Sequence, residues 1–118
     1  MENKRQHMRV RVTLPVEIYD VLNNRSFVGR IIDISVGGVS MVTREELPIN
    51  TPISLTFTFE DIVYKRVPAD VVREQKKQTE NYLGIAFFDL DTRAQSQLDQ
   101  LIRRVHSRKE RGMQKGTL

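Results

Sequence analysis

Two sets of polar residues in the first third of the chain have the types and spacing needed to hold a charged ligand. Arg5 and Arg9 are separated by three residues, and Asp33, Ser35 and Gly38 follow as an Asp-x-Ser-x-x-Gly pattern. A guanidinium is planar, forked and permanently charged, so it binds phosphate oxygens or the O6/N7 edge of guanine through paired hydrogen bonds. A carboxylate, a hydroxyl and a turn glycine suit the polar edge of a base. Together the two sets indicate a nucleotide receptor rather than an enzyme.

Each set also has an ordinary structural explanation. The N-terminal arginines, with Lys4 beside them, could form a solvated basic arm. Asp33 and Ser35 could bond to nearby backbone in a turn, for which Gly37-Gly38 would supply the positive φ. Because such a turn can still present its side chains to a ligand, the structural and functional interpretations are compatible.

Composition favours a single soluble domain with basic ends. The chain has 118 residues and no cysteine, which excludes disulfides, thiolate metal sites and thiol nucleophiles. The net charge of +4 is uneven, since residues 1–11 carry +3, residues 101–118 carry +5 and the body between them carries −4. Basic ends attract an anion, which could be a nucleotide, a nucleic acid or an anionic lipid. The sequence has no apolar run of the kind that forms a transmembrane segment or a signal peptide, so we expect a cytoplasmic location.

Other candidate sites are weaker. His7 and His106 lack the spacing of paired metal ligands, so no metal or other cofactor is expected. Asp89 and Asp91 stand where a helix begins, which favours a capping role over a catalytic carboxylate pair. No nucleophile–base set is recognisable, and we predict no catalytic residues.

Hydrophobic periodicity predicts the elements that position these residues. Apolar and polar residues alternate over 10–19 and 53–59, which is typical of half-buried strands. Pro68 predicts a break in a later β-prone run, since proline cannot donate to a strand ladder. The further runs rich in β-formers are 27–34, 39–43, 63–73 and 82–88. We therefore predict a mainly β fold, a small antiparallel β-barrel of six or seven strands.

The period changes after Asp91 to that of a helix. One apolar stripe predicts a helix of about four turns, formed by Ala94, Leu98, Leu101, Ile102 and Val105. The tail from Ser107 to Leu118 loses the stripe, which predicts that it is frayed. The expected organisation is a flexible basic arm at 1–8, a barrel with a C-terminal helix at 9–106 and a basic tail at 107–118.

The order of these features resembles the PilZ family of bacterial cyclic di-GMP (c-di-GMP) receptors. From about Lys4 to about Val105 the chain shows, in this order, Arg-x-x-x-Arg, strands, Asp-x-Ser-x-x-Gly, more strands and a final helix. The segments Leu14-Pro15-Val16 and Gly84-Ile85-Ala86-Phe87 are also similar to the family's framework. Because either motif alone is common, their joint order and spacing carry the resemblance.

The resemblance implies c-di-GMP as the ligand and assigns roles to the first set of residues. Arg5 and Arg9 are expected to contact phosphate and guanine. Asp33 is expected to accept hydrogen bonds from guanine N1–H and N2–H, with Ser35 and Gly38 completing the site.

Two ligand positions depart from the family pattern. Lys4 stands where many relatives carry another arginine. Arg73 stands near a strand position where many relatives carry an aromatic residue against a guanine. Its guanidinium could stack on the base or remain a solvated charge at a strand end.

The implied function is that of a stand-alone receptor. Ligand binding would order the arm on the barrel, and the signal would pass to an unidentified protein partner, with no DNA involved. Two alternatives stay open: a PilZ-like adaptor that binds protein without nucleotide, and a small-barrel RNA-binding protein that uses the basic ends. Aromatic residues make up only 7% of the chain, which provides few stacking platforms for RNA.

Overall fold

The alternating apolar residues form the inside of a closed antiparallel barrel, in a computed structural model that describes residues 7–116. The elements are β1 (Arg9–Asp20), β2 (Arg25–Ser35), β3 (Gly38–Thr43), β4 (Pro52–Phe59), β5 (Ile62–Lys77), β6 (Glu80–Phe87) and α1 (Thr92–Gly116). Around the barrel the order is β1-β2-β3-β6-β5-β4, and β4 pairs with β1 to close it. The predicted antiparallel barrel with one C-terminal helix is confirmed, and it has six strands.

The long strand β5 differs from the sequence-based prediction. It runs from Ile62 to Lys77 through Pro68, so the predicted break there is wrong. Pro68 is exposed and pairs with Ser54 in the ladder to β4. The irregularity lies earlier, where the register between β4 and β5 shifts and Arg66 adopts a φ of 52°. The strand therefore continues through the proline, and its bulge lies before Pro68.

The helix α1 buries the predicted stripe against the barrel. The hydrophobic core includes Leu98, Leu101, Ile102 and Val105. Asp91 is the N-cap, because its Oδ1 accepts the Ala94 N–H at 2.8 Å. The helix continues to Gly116 and is longer than predicted, since the residues beyond the stripe are mostly strong helix formers. Within residues 7–116 no helix is both long and apolar enough to cross a membrane.

Bulges interrupt three strands at one level of the barrel. The register shifts lie between Arg11 and Leu14 in β1, between Ile31 and Asp33 in β2, and between Val71 and Arg73 in β5. A bulge bends its strand and redirects the neighbouring side chains. Each of these bulges adjoins a charged residue on the outside of the barrel.

Candidate ligand-binding surface

One row of paired residues crosses the outer face of five strands. Arg11 pairs with Asp33, and Asp33 pairs with Ser40. Ser40 in turn pairs with Gly84, which pairs with Arg73. Directly paired residues of antiparallel strands share a face of the sheet. The opposite, inner face of these strands is buried in the core at Val10, Ile34, Val39, Met41, Leu83 and Ile85. We call these five residues the polar row.

The carboxylate of Asp33 lies at the centre of the polar row. Arg9 donates from Nη1 to Asp33 Oδ1, and the backbone N–H of Ser40 donates to the same oxygen at 3.2 Å. The Asp33 side chain is 23% exposed and that of Arg9 is 50% exposed. The fold thus joins one residue from each sequence motif in an ion pair that solvent and ligands can reach.

Ser35 organises the turn between β2 and β3. It is buried, its Oγ accepts the Gly37 N–H at 3.2 Å, and its hydroxyl donates to the Gly38 carbonyl at 3.4 Å. The turn interpretation therefore holds for Ser35, whereas Asp33 bonds across the strands instead.

Gly38 is needed for close packing and not for an unusual backbone conformation. The predicted positive φ at Gly37-Gly38 is wrong, because no glycine among residues 7–116 has a positive φ. A Cβ on Gly38 would lie 1.9 Å from the carbonyl oxygen of Ile85 in β6. The glycine lets β3 and β6 pair at the end of the barrel that carries the site.

Arg73 lies across the backbone of β6. A Cβ on Gly84 would approach the Cβ, Cζ and Nη2 atoms of Arg73 to 3.1 Å each. The predicted close approach or bulge at Gly84 is confirmed, since the bulge of β5 is opposite this glycine. The absence of a side chain at residue 84 allows the exposed guanidinium to lie close to the backbone of β6.

A surface groove of about 570 Å³ joins these features. Its lining includes His7, Arg9, Asp33, Ser35, Gly38 and Arg73. A smaller groove of about 190 Å³ continues along the polar row and shares Asp33, Ser40 and Arg73 with the first. The described part of the chain holds no group of three or more His, Asp or Glu placed to bind a metal ion. The arrangement instead offers cations, a carboxylate and backbone groups to a polar organic anion.

Comparison with known proteins identifies the family. The PilZ domain matches residues 3–104. This chain belongs to the PilZ domain family. No match is found among curated proteins.

Solved PilZ structures share the fold of this PilZ domain. YcgR from Escherichia coli in complex with c-di-GMP gives a TM-score of 0.81 at 16% identity, over 96% of this chain and 50% of that one. The inhibitor of motility MotI from Bacillus subtilis gives a TM-score of 0.77 at 18% identity, and the match covers 92% of this chain and 54% of MotI. This chain therefore spans about half the length of those two. The PilZ domain of E. coli YcgR with c-di-GMP gives a TM-score of 0.77 at 14% identity, and the match covers 96% of this chain and 99% of that domain.

The PilZ domain brings most of the predicted site residues to one place. The larger groove is lined by five of them: Arg9, Asp33, Ser35, Gly38 and Arg73. Lys4 and Arg5 lie outside the described residues.

Sequence reasoning missed two members of the polar row. Ser40 sits in a short apolar strand without a motif, and its contribution is a backbone N–H that no sequence pattern reveals. Arg11 had a usable signal, because period 2 in a strand places it on the same face as Arg9.

Proposed function

We propose that this PilZ domain is a cytoplasmic c-di-GMP receptor that binds the dinucleotide over the polar row. The observation that carries the proposal is the contact between Arg9 and Asp33 in a groove that also holds Arg73. A cation for phosphate, a carboxylate for guanine and a second cation for a base or phosphate are thereby available to one ligand. We further propose that the bound state signals through contact with a protein partner.

Guanine recognition is assigned to Asp33. Guanine presents N1–H and N2–H as adjacent donors, and a carboxylate can accept both. The Ser40 N–H holds the carboxylate in place before the ligand arrives. The Arg9 guanidinium then exchanges Asp33 for a phosphate or the O6/N7 edge of guanine. Breaking the ion pair between Arg9 and Asp33 costs little free energy, because a partly exposed ion pair contributes about 1 kcal/mol or less.

The N-terminal arm supplies the remaining cations in this proposal. Lys4 and Arg5 would join Arg9 around the two phosphodiester charges. Ordering the arm costs about 1–2 kcal/mol for each residue whose backbone is fixed. Charge-assisted hydrogen bonds to phosphate and stacking on guanine would offset that cost. Ser35 and Gly38 would contribute by holding the turn that borders the ligand.

Isothermal titration calorimetry with c-di-GMP tests the proposal. We expect a dissociation constant of roughly micromolar or below, and weaker binding of cyclic di-AMP, whose adenines lack both the N1–H and the N2–H of guanine. Arg9→Ala should weaken binding more than about tenfold, since it removes a charged hydrogen bond. Arg30→Ala is the matched control, because Arg30 is an exposed β2 residue outside this groove. Folded protein that gives no binding heat with c-di-GMP would refute the receptor function.

Gly84→Ala should weaken c-di-GMP binding about two- to fivefold, which corresponds to the 0.5–1 kcal/mol of an exposed cation–π contact. The new Cβ would displace the Arg73 side chain from its position on β6. Calorimetry of the single variants Gly84→Ala and Arg73→Ala and of the double variant measures the effect.

The double variant decides whether Gly84 acts through Arg73. If it does, adding Gly84→Ala to Arg73→Ala changes the affinity no further. Additive losses would show that Gly84 acts on the ligand directly, and an unchanged affinity in Arg73→Ala would remove Arg73 from the site.

A further inference from the structure

The C-terminal half of α1 is attached to the strand that carries the arginines of the site. Lys109 Nζ donates to the backbone carbonyl of Arg11 at 2.5 Å. Beside it, Arg108 donates from both Nη atoms to the two carboxylate oxygens of Glu60, each at 3.0 Å. The hydrogen bond from Arg108 holds the pKa of Glu60 below its ordinary value. Arg108 thus anchors the helix to the barrel. Because Lys109 is the next residue, this anchor holds the Lys109 backbone at a fixed distance from β1.

Glu60 is positioned for this anchor by a strained turn. It forms the hairpin between β4 and β5 with Asp61, and both residues have positive φ values, 52° and 68°. Such a turn favours Asn-Gly or Asp-Gly, so a glutamate here carries a backbone penalty. The turn nevertheless places the Glu60 carboxylate where both Nη atoms of Arg108 bind it.

A second groove lies between α1 and the polar row. It has a volume of about 510 Å³ and is lined by Arg11, Val12, Thr13, Ile32, Asp33 and Lys109. The bulge of β1 after Arg11 falls within this lining. Because Asp33 lines both this groove and the larger one, the two grooves meet at that carboxylate.

The charges around the second groove favour an anion. The lining holds two cations, Arg11 and Lys109, and one carboxylate, Asp33, which Arg9 already pairs. The local net charge is therefore positive. The acceptor that Lys109 now contacts is a neutral carbonyl, and a hydrogen bond to an anionic oxygen is stronger. A phosphate would therefore draw the Lys109 ammonium away from the Arg11 carbonyl, because the new hydrogen bond would more than replace the one that is broken.

We propose that Arg11 and Lys109 form a second phosphate-binding subsite, which connects the ligand to α1. The proposal rests on the proposed function in one respect, since the phosphate would come from c-di-GMP, either the same molecule that contacts Asp33 or a second one. Binding there transfers Lys109 from β1 to the ligand and so changes the contact between α1 and the barrel. This gives the receptor a route from the ligand to the surface of its C-terminal helix.

Calorimetry with c-di-GMP on Lys109→Gln and Arg11→Gln tests the subsite. We expect each variant to lose about three- to tenfold in affinity, and the loss to shrink at about 0.5 M salt because exposed charges are screened. Arg103→Gln is the matched control, since it removes one charge from the same helix, and Arg103 pairs with Asp99 one turn away on that helix and lies outside the lining of the second groove. One ligand per chain indicates that a single molecule spans both grooves, and two indicate a second molecule. Affinities within 1.5-fold of the unmodified protein, in a protein that binds c-di-GMP, would overturn the subsite and leave the receptor function intact.

Inorganic pyrophosphate provides a probe that does not depend on the receptor function. Amide resonances of Arg11, Thr13 and Ile32 should shift saturably on titration, and Lys109→Gln should weaken this response while Arg103→Gln does not. If c-di-GMP fails to bind and pyrophosphate still gives this pattern, the receptor function fails and the anion subsite stands. Shifts that are absent, or spread evenly over the basic surface, would overturn the subsite.

Discussion

Replacing Asp33 with alanine should weaken c-di-GMP binding by roughly 10- to 100-fold, because hydrogen bonds to a charged group contribute about 1.5–3 kcal/mol. The Ser40 N–H already positions the carboxylate and can keep its bond when Arg9 moves to the ligand, so little energy is needed to orient Asp33 for guanine. No other carboxylate belongs to the polar row, and the described residues offer no substitute there. Isothermal titration calorimetry of the variant measures the loss.

Two further variants separate recognition from folding. Asp33→Asn keeps one acceptor oxygen but loses the charge, so its loss of affinity should be smaller than that of Asp33→Ala. Glu17→Ala removes an exposed carboxylate from β1 in a different groove, beside Arg66, and should leave binding unchanged. A folded Asp33→Ala protein that binds within about twofold of the unmodified protein would show that Asp33 does not hold the guanine.

Replacing Gly38 with alanine should lower the free energy of unfolding by roughly 3 kcal/mol or more and the melting temperature by about 10 °C or more. The added Cβ would meet backbone, since the Ile85 carbonyl oxygen would be 1.9 Å away. Relief requires β6 to move away from β3 at the pair formed by Gly38 and Ala86. Thermal unfolding followed by circular dichroism measures the effect.

The neighbouring glycine is the matched control for this prediction. A Cβ on Gly37 would come no closer than 3.4 Å to its nearest neighbour, a His7 side-chain atom, and Gly37 does not have a positive φ. Gly37→Ala should therefore melt within a few degrees of the unmodified protein. Equal melting temperatures for the Gly37→Ala and Gly38→Ala proteins would contradict the steric explanation.

The barrel could be predicted from the sequence because its strands obey period 2 and its helix carries a clear stripe. Ile53 to Phe59 alternates strictly, and those apolar residues are buried in the structure. The end of α1 could not be predicted from the stripe, because residues beyond Val105 no longer pack on the core. There the helix is held by the contact of Arg108 with Glu60, a residue distant in sequence.

The composition of the site was only partly predictable for a related reason. Motif spacing pointed to Arg9 and Asp33, but the polar row depends on strand register. The register depends in turn on bulges near Ile32 and Val72, which are ordinary β-branched residues without a distinctive sequence signal. The contact between Lys109 and Arg11 joins opposite ends of the chain and could not be inferred from either one.

An NMR titration with c-di-GMP reports both whether this PilZ domain binds the dinucleotide and where. We expect saturable shifts of backbone amides along the polar row and its turn, at Gly38, Ser40, Arg73 and Gly84. The opposite face of the barrel around Glu17 and Arg66 should stay unchanged. Spectra that do not respond to c-di-GMP, or shifts confined to that opposite face, would contradict binding of the dinucleotide over the polar row.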